Sequence, residues 1–270
     1  MPVVEVNGAE IAYRESSGEG RPVVLVHGNS SSSRTWGHLL DTSMGQRFRC
    51  LALDLPGHGG SATASTFDDY SVPAYAAILA GFVRAVNAEG AVLVGWSLGG
   101  HIALESTPLL GDAVAGVAIF GTPPIATAES FGSAFLPNPV VNIGFAAESS
   151  ADAAREYAEN SVARDSSVPL EPFVEDFLAT DGAARAGLAA SLATGRFADE
   201  VAIITGLRQP LAVLHGRADR FVSLPYVQGL AAPTLWRGAV QIIDEAGHAP
   251  HVETPTAFTN LLEQFIADLP

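Results

Sequence analysis

The serine at position 97 stands in AVLVGWSLGGH (91–101), where four apolar residues run into a glycine and a Gly-rich helical pattern follows the bend. Glycine and serine after a buried strand often only make a turn. The same arrangement also suits a nucleophile elbow, in which Gly95 and Gly99 allow close passage of the chain while a strained turn lifts the Ser97 hydroxyl above a sheet. A hydroxyl becomes a useful nucleophile only beside a base, and the base needs a group to orient it. His248, in VQIIDEAGHAPH, and Asp219, in LAVLHGRADRF, follow apolar runs and could supply both. Asp244 and Glu245 lie at the end of His248's own strand, poorly placed to reach around to its imidazole, and the run VAGVAIF is followed by GTPP with no carboxylate. Asp219 is therefore the expected acid. The Leu98 N–H, at a helix N-terminus, and that of Asn29, in HGNSSSSRTW, are the expected donors for a tetrahedral oxyanion.

Other polar residues read as structural. His27 beside Gly28 can tie its loop, and Asp54 and His58 in DLPGHGGS read as loop fasteners. His248, His251 and Glu253 are the nearest approach to a metal cluster, but Pro250 argues against the two histidines sharing one helical face. No metal and no cofactor are expected. All 14 basic residues are arginine, so the chain can neither form a Schiff base with pyridoxal phosphate nor complete a P-loop. A net charge of −15 opposes contact with nucleic acid or anionic lipid. The N-terminus shows no basic segment followed by a long apolar run, and no stretch is apolar enough for a membrane span, so the expectation is a cytoplasmic protein. The single cysteine, Cys50, falls in an apolar strand pattern and is expected to be buried. Oligomeric state is not legible.

These side chains need a scaffold that brings distant positions to one edge. VVEVN, Asn7-Gly8 and EIAYRES read as a hairpin. VVLVH, FRCLALD, AVLVGW, VAGVAIF, LAVLHG and AVQIID complete eight candidate strands, mostly spaced for crossover helices. Pro73 opens a helical pattern that Gly90 closes, and 255–269 carries an apolar stripe at helical spacing. Thr122 to Gly206 breaks the rhythm with short amphipathic pieces and no strand-like run. The expected architecture is an α/β fold with an eight-stranded, mostly parallel sheet and helices on both faces. Its core is formed by 1–122 and 207–270, with a helical cap over 123–206 lying above the ligand-binding edge.

The motifs HGN, DLPGHG, GWSLGG and GHAPH, in this order, resemble the α/β-hydrolase superfamily across the whole chain. HGNSSS, GWSLGGHIAL, FGTPP, TDGAAR, Leu235-Trp236 and DEAGHAPHVETP are similar, more specifically, to the serine-dependent N-acyl homoserine lactonases, the quorum-quenching branch of that superfamily. The resemblance implies that Asn29 and a lid tyrosine, Tyr157 in REYAENS, help to hold a lactone. It places the family's acid, a glutamate in that branch, on Asp219. Trp96 beside the nucleophile joins Tyr157 as an expected substrate contact. A small-molecule ester or lactone is the implied partner. An esterase on open-chain esters and a cofactor-free perhydrolase need the same triad and stay open, as does a hydrolase-like receptor for a small molecule. A haloalkane dehalogenase or epoxide hydrolase would want a carboxylate at position 97, and the HGN and Trp96 echo of dehalogenases reads as shared ancestry of the loop.

Overall fold

The computed structural model describes residues 1–270. Its eight strands are β1 (Val3–Val6), β2 (Ala9–Glu15), β3 (Gly20–Val26), β4 (Phe48–Leu53), β5 (Ala91–Trp96), β6 (Val114–Phe120), β7 (Leu211–Gly216) and β8 (Gln241–Ile243). They form one sheet in the order β1-β2-β4-β3-β5-β6-β7-β8. The β1–β2 and β2–β4 pairs are antiparallel and the remaining five pairs are parallel. Asn7 and Gly8 both take positive φ, 51° and 83°, as a two-residue hairpin turn matched to strand twist requires.

Central strands are apolar on both faces because both are covered. Val24, Val26, Leu93, Val117 and Ile119 face one buried cluster, with Leu79, Phe82 and Ile102 from helices α1 (Val72–Ala85) and α2 (Leu98–Leu110). Their alternates Val23, Leu25, Val92, Val94, Ala118 and Phe120 face a second cluster with Trp36, Phe258, Leu262 and Phe265. The period of two along each strand thus sorts its residues into two cores. Cys50 is buried and unpaired in the second of these clusters.

Two elements are shorter than their sequence patterns suggest. Ser71 caps α1 through its hydroxyl and Pro73 opens it, but the helix stops at Ala85, where Asn87 turns into the left-handed region at φ 52°. Gly90, at φ 79°, closes the following turn rather than the helix. Only three residues of AVQIID pair as β8, at the sheet's edge.

Between β6 and β7 the chain adds no strand to the sheet. It runs through short turns, a single helical turn at Phe131–Ala134 and four longer helices, α3 (Ala151–Asn160), α4 (Glu171–Ala179), α5 (Gly182–Ala193) and α6 (Glu200–Gly206). The last of these packs against α2. The C-terminal helix α7 (Pro255–Ala267) buries Phe258, Leu262, Phe265 and Ile266; Leu261 and, beyond the helix end, Leu269 are half-buried. No helix is long and apolar enough to cross a membrane.

Candidate active site

Because β4 lies on one side of β3 and β5 on the other, the strand order reverses here, opening a crevice at the carboxyl ends of these strands. Ser97 sits there, between the last residue of β5 and the first of α2. Its backbone is held at φ 52°, ψ −118°, a conformation that costs a non-glycine residue on the order of 1–3 kcal/mol. The turn is pinned by the Ser97 N–H donating to the Phe120 carbonyl at 2.9 Å, and by the Gly100 N–H and Thr122 hydroxyl donating to the Ser97 carbonyl, each at 2.9 Å. The flanking glycines are a matter of space. A Cβ on Gly95 would fall 2.2 Å from the Gly99 carbonyl oxygen, and one on Gly99 would fall 2.2 Å from that of Val26. Leu98 opens α2, so its N–H has no acceptor within the helix.

Asp219 follows β7 and His248 follows β8, and the two meet at 2.9 Å between Oδ2 and Nδ1. The other Asp219 oxygen accepts the N–H groups of Phe221 at 2.8 Å and Val222 at 3.1 Å. Burial by itself would raise the Asp219 pKa, but the charge and hydrogen bond of His248, helped by His215 and the Phe221 N–H, hold it below the usual carboxylate range. An ionised carboxylate only accepts, so Nδ1 carries the hydrogen and Nε2 of the neutral ring is left as an acceptor. Asp244 is turned away, on the surface against Arg217 at 2.5 Å.

The loop that carries His248 is itself clamped. Glu253 accepts the N–H groups of Gly247 at 2.8 Å and Ala249 at 3.2 Å on one oxygen, and that of Ala163 at 2.7 Å on the other. Trp96 donates its indole N–H to the His248 carbonyl at 2.8 Å. Gly121, at φ 58°, passes so close that a Cβ there would lie 2.9 Å from the imidazole Cε1. The sequence pattern carried no sign of these clamping roles.

Ser97, Leu98, Asn29, Tyr157 and His248 all line one cavity of about 280 Å³, whose walls are mainly apolar, among them Phe131, Phe135, Phe145 and Leu188. Trp96 is not on that wall. Its ring is buried, and with Phe173 it borders a recess of only about 10 Å³ that Ser97, Asn29, Tyr157 and His248 share. The Asn29 side chain donates to the Gly144 carbonyl at 2.6 Å, and the Tyr157 ring packs on Gly144 and stacks on Phe221 at 5.7 Å. Burial pushes the Tyr157 phenol up to about 12, so at neutral pH it keeps its hydrogen to donate.

His27, His58, His251 and Asp54 hold loops. His27 bonds the Gly28 carbonyl at 2.7 Å and accepts the Leu55 N–H at 3.0 Å, and burial lowers its pKa to about 4. His58 bonds the Pro56 carbonyl at 3.1 Å, and Asp54 accepts the N–H groups of Ser33 at 2.6 Å and Gly60 at 2.8 Å. His251 bonds the Thr35 hydroxyl at 2.7 Å. A second pair, half-buried His101 with buried Glu200, also reaches the cavity wall, and no sequence pattern marks it.

A strained serine on a helix N-terminus, sharing a largely apolar cavity with an imidazole whose tautomer is fixed by a buried carboxylate, has the parts needed for acyl transfer. Comparisons with known proteins point the same way. Residues 23–261 match the model of the alpha/beta hydrolase family. The chain is 31% identical over 259 residues, 94% of its length, to the pimeloyl-[acyl-carrier protein] methyl ester esterase of Methylococcus capsulatus, 98% of which is covered. Among solved structures, a mutant of the N-acyl homoserine lactonase AidH complexed with N-hexanoyl homoserine lactone superposes with a TM-score of 0.94 at 34% identity, covering 99% of this chain and 97% of that one. The esterase RhEst1 from a Rhodococcus species superposes at 0.80 with 27% identity, covering 99% and 98%.

Proposed function

The chain belongs to the alpha/beta hydrolase family and is an ester-hydrolysing enzyme, and from that premise we propose that it opens the lactone ring of N-acyl homoserine lactones through an acyl-enzyme on Ser97. The observation that carries the choice of substrate is the end-to-end likeness to AidH, a lactonase whose structures hold N-hexanoyl homoserine lactone and N-butanoyl homoserine. A cavity with mostly apolar walls suits an acyl chain, each buried methylene contributing about 0.8 kcal/mol.

In this reading His248 Nε2 takes the Ser97 proton as the oxygen attacks the ring carbonyl, and Asp219 stabilises the imidazolium that forms. The backbone N–H groups of Leu98 and Asn29 hold the oxyanion. Collapse breaks the ring C–O bond, and the departing alkoxide takes the proton from His248 to become the hydroxyl of a homoserine still esterified to Ser97. Water, deprotonated by His248, then releases the N-acyl homoserine. Tyr157 donates to the bound lactone, and Trp96 works from behind by fixing the His248 loop. The segment 123–206 serves as the cap that selects chain length. Opening this ring would make the enzyme a quorum-quenching lactonase.

The full-length likeness to a methyl ester esterase favours a second reading, hydrolysis of open-chain esters by the same atoms. Proton release on adding N-acyl homoserine lactones and 4-nitrophenyl esters separates the two. Rapid lactone opening that disappears in Ser97→Ala is expected, whereas aryl-ester turnover with intact lactones would leave an esterase. Inactivity on both would favour perhydrolysis or a receptor role.

A further inference from the structure

The cavity wall is mostly apolar, yet it includes a pair that the proposed reaction does not use, a half-buried histidine on a buried carboxylate. His101 lies one turn along α2 from Ser97, with its backbone N–H donating to the Ser97 carbonyl at 3.4 Å. Its Nδ1 lies 2.8 Å from both oxygens of Glu200, the first residue of α6. Glu200 is 2% exposed and also accepts the Ile125 N–H at 2.9 Å. Glu105, one turn further along α2, is buried nearby and accepts the Ala198 N–H at 2.8 Å. Both His101 and Glu200 line the cavity with Ser97.

With Nδ1 committed to the carboxylate, the second ring nitrogen of His101 has no partner in the protein, and the side chain keeps 14% of its surface exposed. A clasp between α2 and α6 requires only the Nδ1 side. Placing the imidazole on a mostly apolar wall costs desolvation that a leucine would avoid, and it leaves a polar atom that a fully hydrocarbon chain cannot satisfy.

We propose that His101, oriented by Glu200, is a polar subsite that recognises an oxygen substituent on the acyl chain, one helical turn (about 5.4 Å) from the nucleophile. This deepens the lactonase reading above and rests on it for the identity of the substrate. A hydroxyl suits the subsite in both protonation states of the ring, donating to a bare Nε2 and accepting from a protonated one. A keto oxygen pairs only with the protonated ring. The positive end of the pair is balanced by Glu200, with Glu105 close by, so the subsite favours a neutral oxygen over a carboxylate.

The test compares kcat/KM on two substrate pairs that differ by one oxygen: N-hexanoyl with N-(3-hydroxyhexanoyl) homoserine lactone, and 4-nitrophenyl hexanoate with 4-nitrophenyl 6-hydroxyhexanoate. The parent, His101→Phe and His101→Gln are measured, with melting curves to confirm folding. In His101→Phe the ratio of hydroxylated to plain substrate should fall by roughly three- to tenfold, the value of one hydrogen bond, and in His101→Gln it should fall between those of the parent and the phenylalanine variant. A purely structural role would lower both members of a pair equally, and that result in a folded variant overturns the subsite. If the parent hydrolyses aryl esters but neither lactone, the lactonase reading fails alone, and the ratio in the aryl pair decides the subsite. Turnover of none of the four compounds overturns both.

Discussion

Two histidine–carboxylate pairs face the same cavity with nearly the same contact distance, 2.9 Å for His248–Asp219 and 2.8 Å for His101–Glu200. They differ in what holds them. His248 and Asp219 stand on loops after β8 and β7, reaching the crevice edge where Ser97 emerges from β5, and the Asp219 oxygens are filled by His248 and two backbone N–H groups. His101 and Glu200 stand on helices, and His101 rides the same helix that Ser97 begins. A buried imidazole beside a carboxylate is therefore no signature of a general base by itself. In the reading proposed above, its place on the scaffold relative to the nucleophile separates the proton carrier from the side chain that meets an oxygen on the substrate.

That distinction can be broken by experiment. The largest effect is expected for Asp219→Asn, whose amide can present a hydrogen to Nδ1 and favour the wrong tautomer. Ester turnover should fall about 10⁴-fold, measured as kcat on any ester the parent accepts. Gly121→Ala is next, because a Cβ would combine an unfavourable positive φ with a 2.9 Å approach to His248. Displacing the imidazole by part of an ångström should lower kcat/KM by about 10²-fold. Glu200→Gln, which loosens the other pair, should lower kcat on a plain acyl lactone by no more than about tenfold, the value of one hydrogen bond. Comparable losses in Glu200→Gln and Asp219→Asn would erase the distinction between the pairs.

The smallest effect concerns stability. Burial pushes the Glu105 carboxyl up to about 7 from 4.5, against the opposing hydrogen bond from Ala198. A folded-state value above the unfolded one favours the protonated form, so this contribution is fully present below about 4.5 and is lost as pH rises through about 7. Glu105→Gln can keep the bond to Ala198 without the titration. The melting temperature of the variant relative to the parent should therefore rise by a few degrees between pH 5 and pH 8, and a constant difference would count against this reading.

Much of the scaffold is legible in local chemistry. Asn7-Gly8 can hardly be anything but a tight hairpin turn, and runs such as VVLV announce strands covered on both faces. The region of Ser97 was readable because Gly95 and Gly99 answer a local crowding problem that always leaves the same spacing. Asp219 and His248 could be singled out from chain order, since each follows a strand-like run. The end of α1 comes earlier than the pattern suggests because Asn87, not the more conspicuous Gly90, takes the first left-handed turn. His101 and Glu200 were invisible for a different reason. They are 99 positions apart, each looks like an ordinary helix residue, and only the packing of α6 on α2 brings them together. The clamp of Glu253 on the His248 loop was hidden likewise, because its partners are backbone N–H groups that no sequence pattern marks.

The indole of Trp96 ends on the carbonyl of a residue 152 positions later in the chain. A polypeptide leaves the ribosome N-terminus first, so the strand bearing the elbow is made long before the acceptor for this hydrogen bond exists. The strut closes only when β8 and the loop behind it have been synthesised and docked. In the proposed reaction, in which His248 serves Ser97, the apparatus is therefore complete only near the end of synthesis, and a prematurely terminated chain lacking this loop would have no base for its serine.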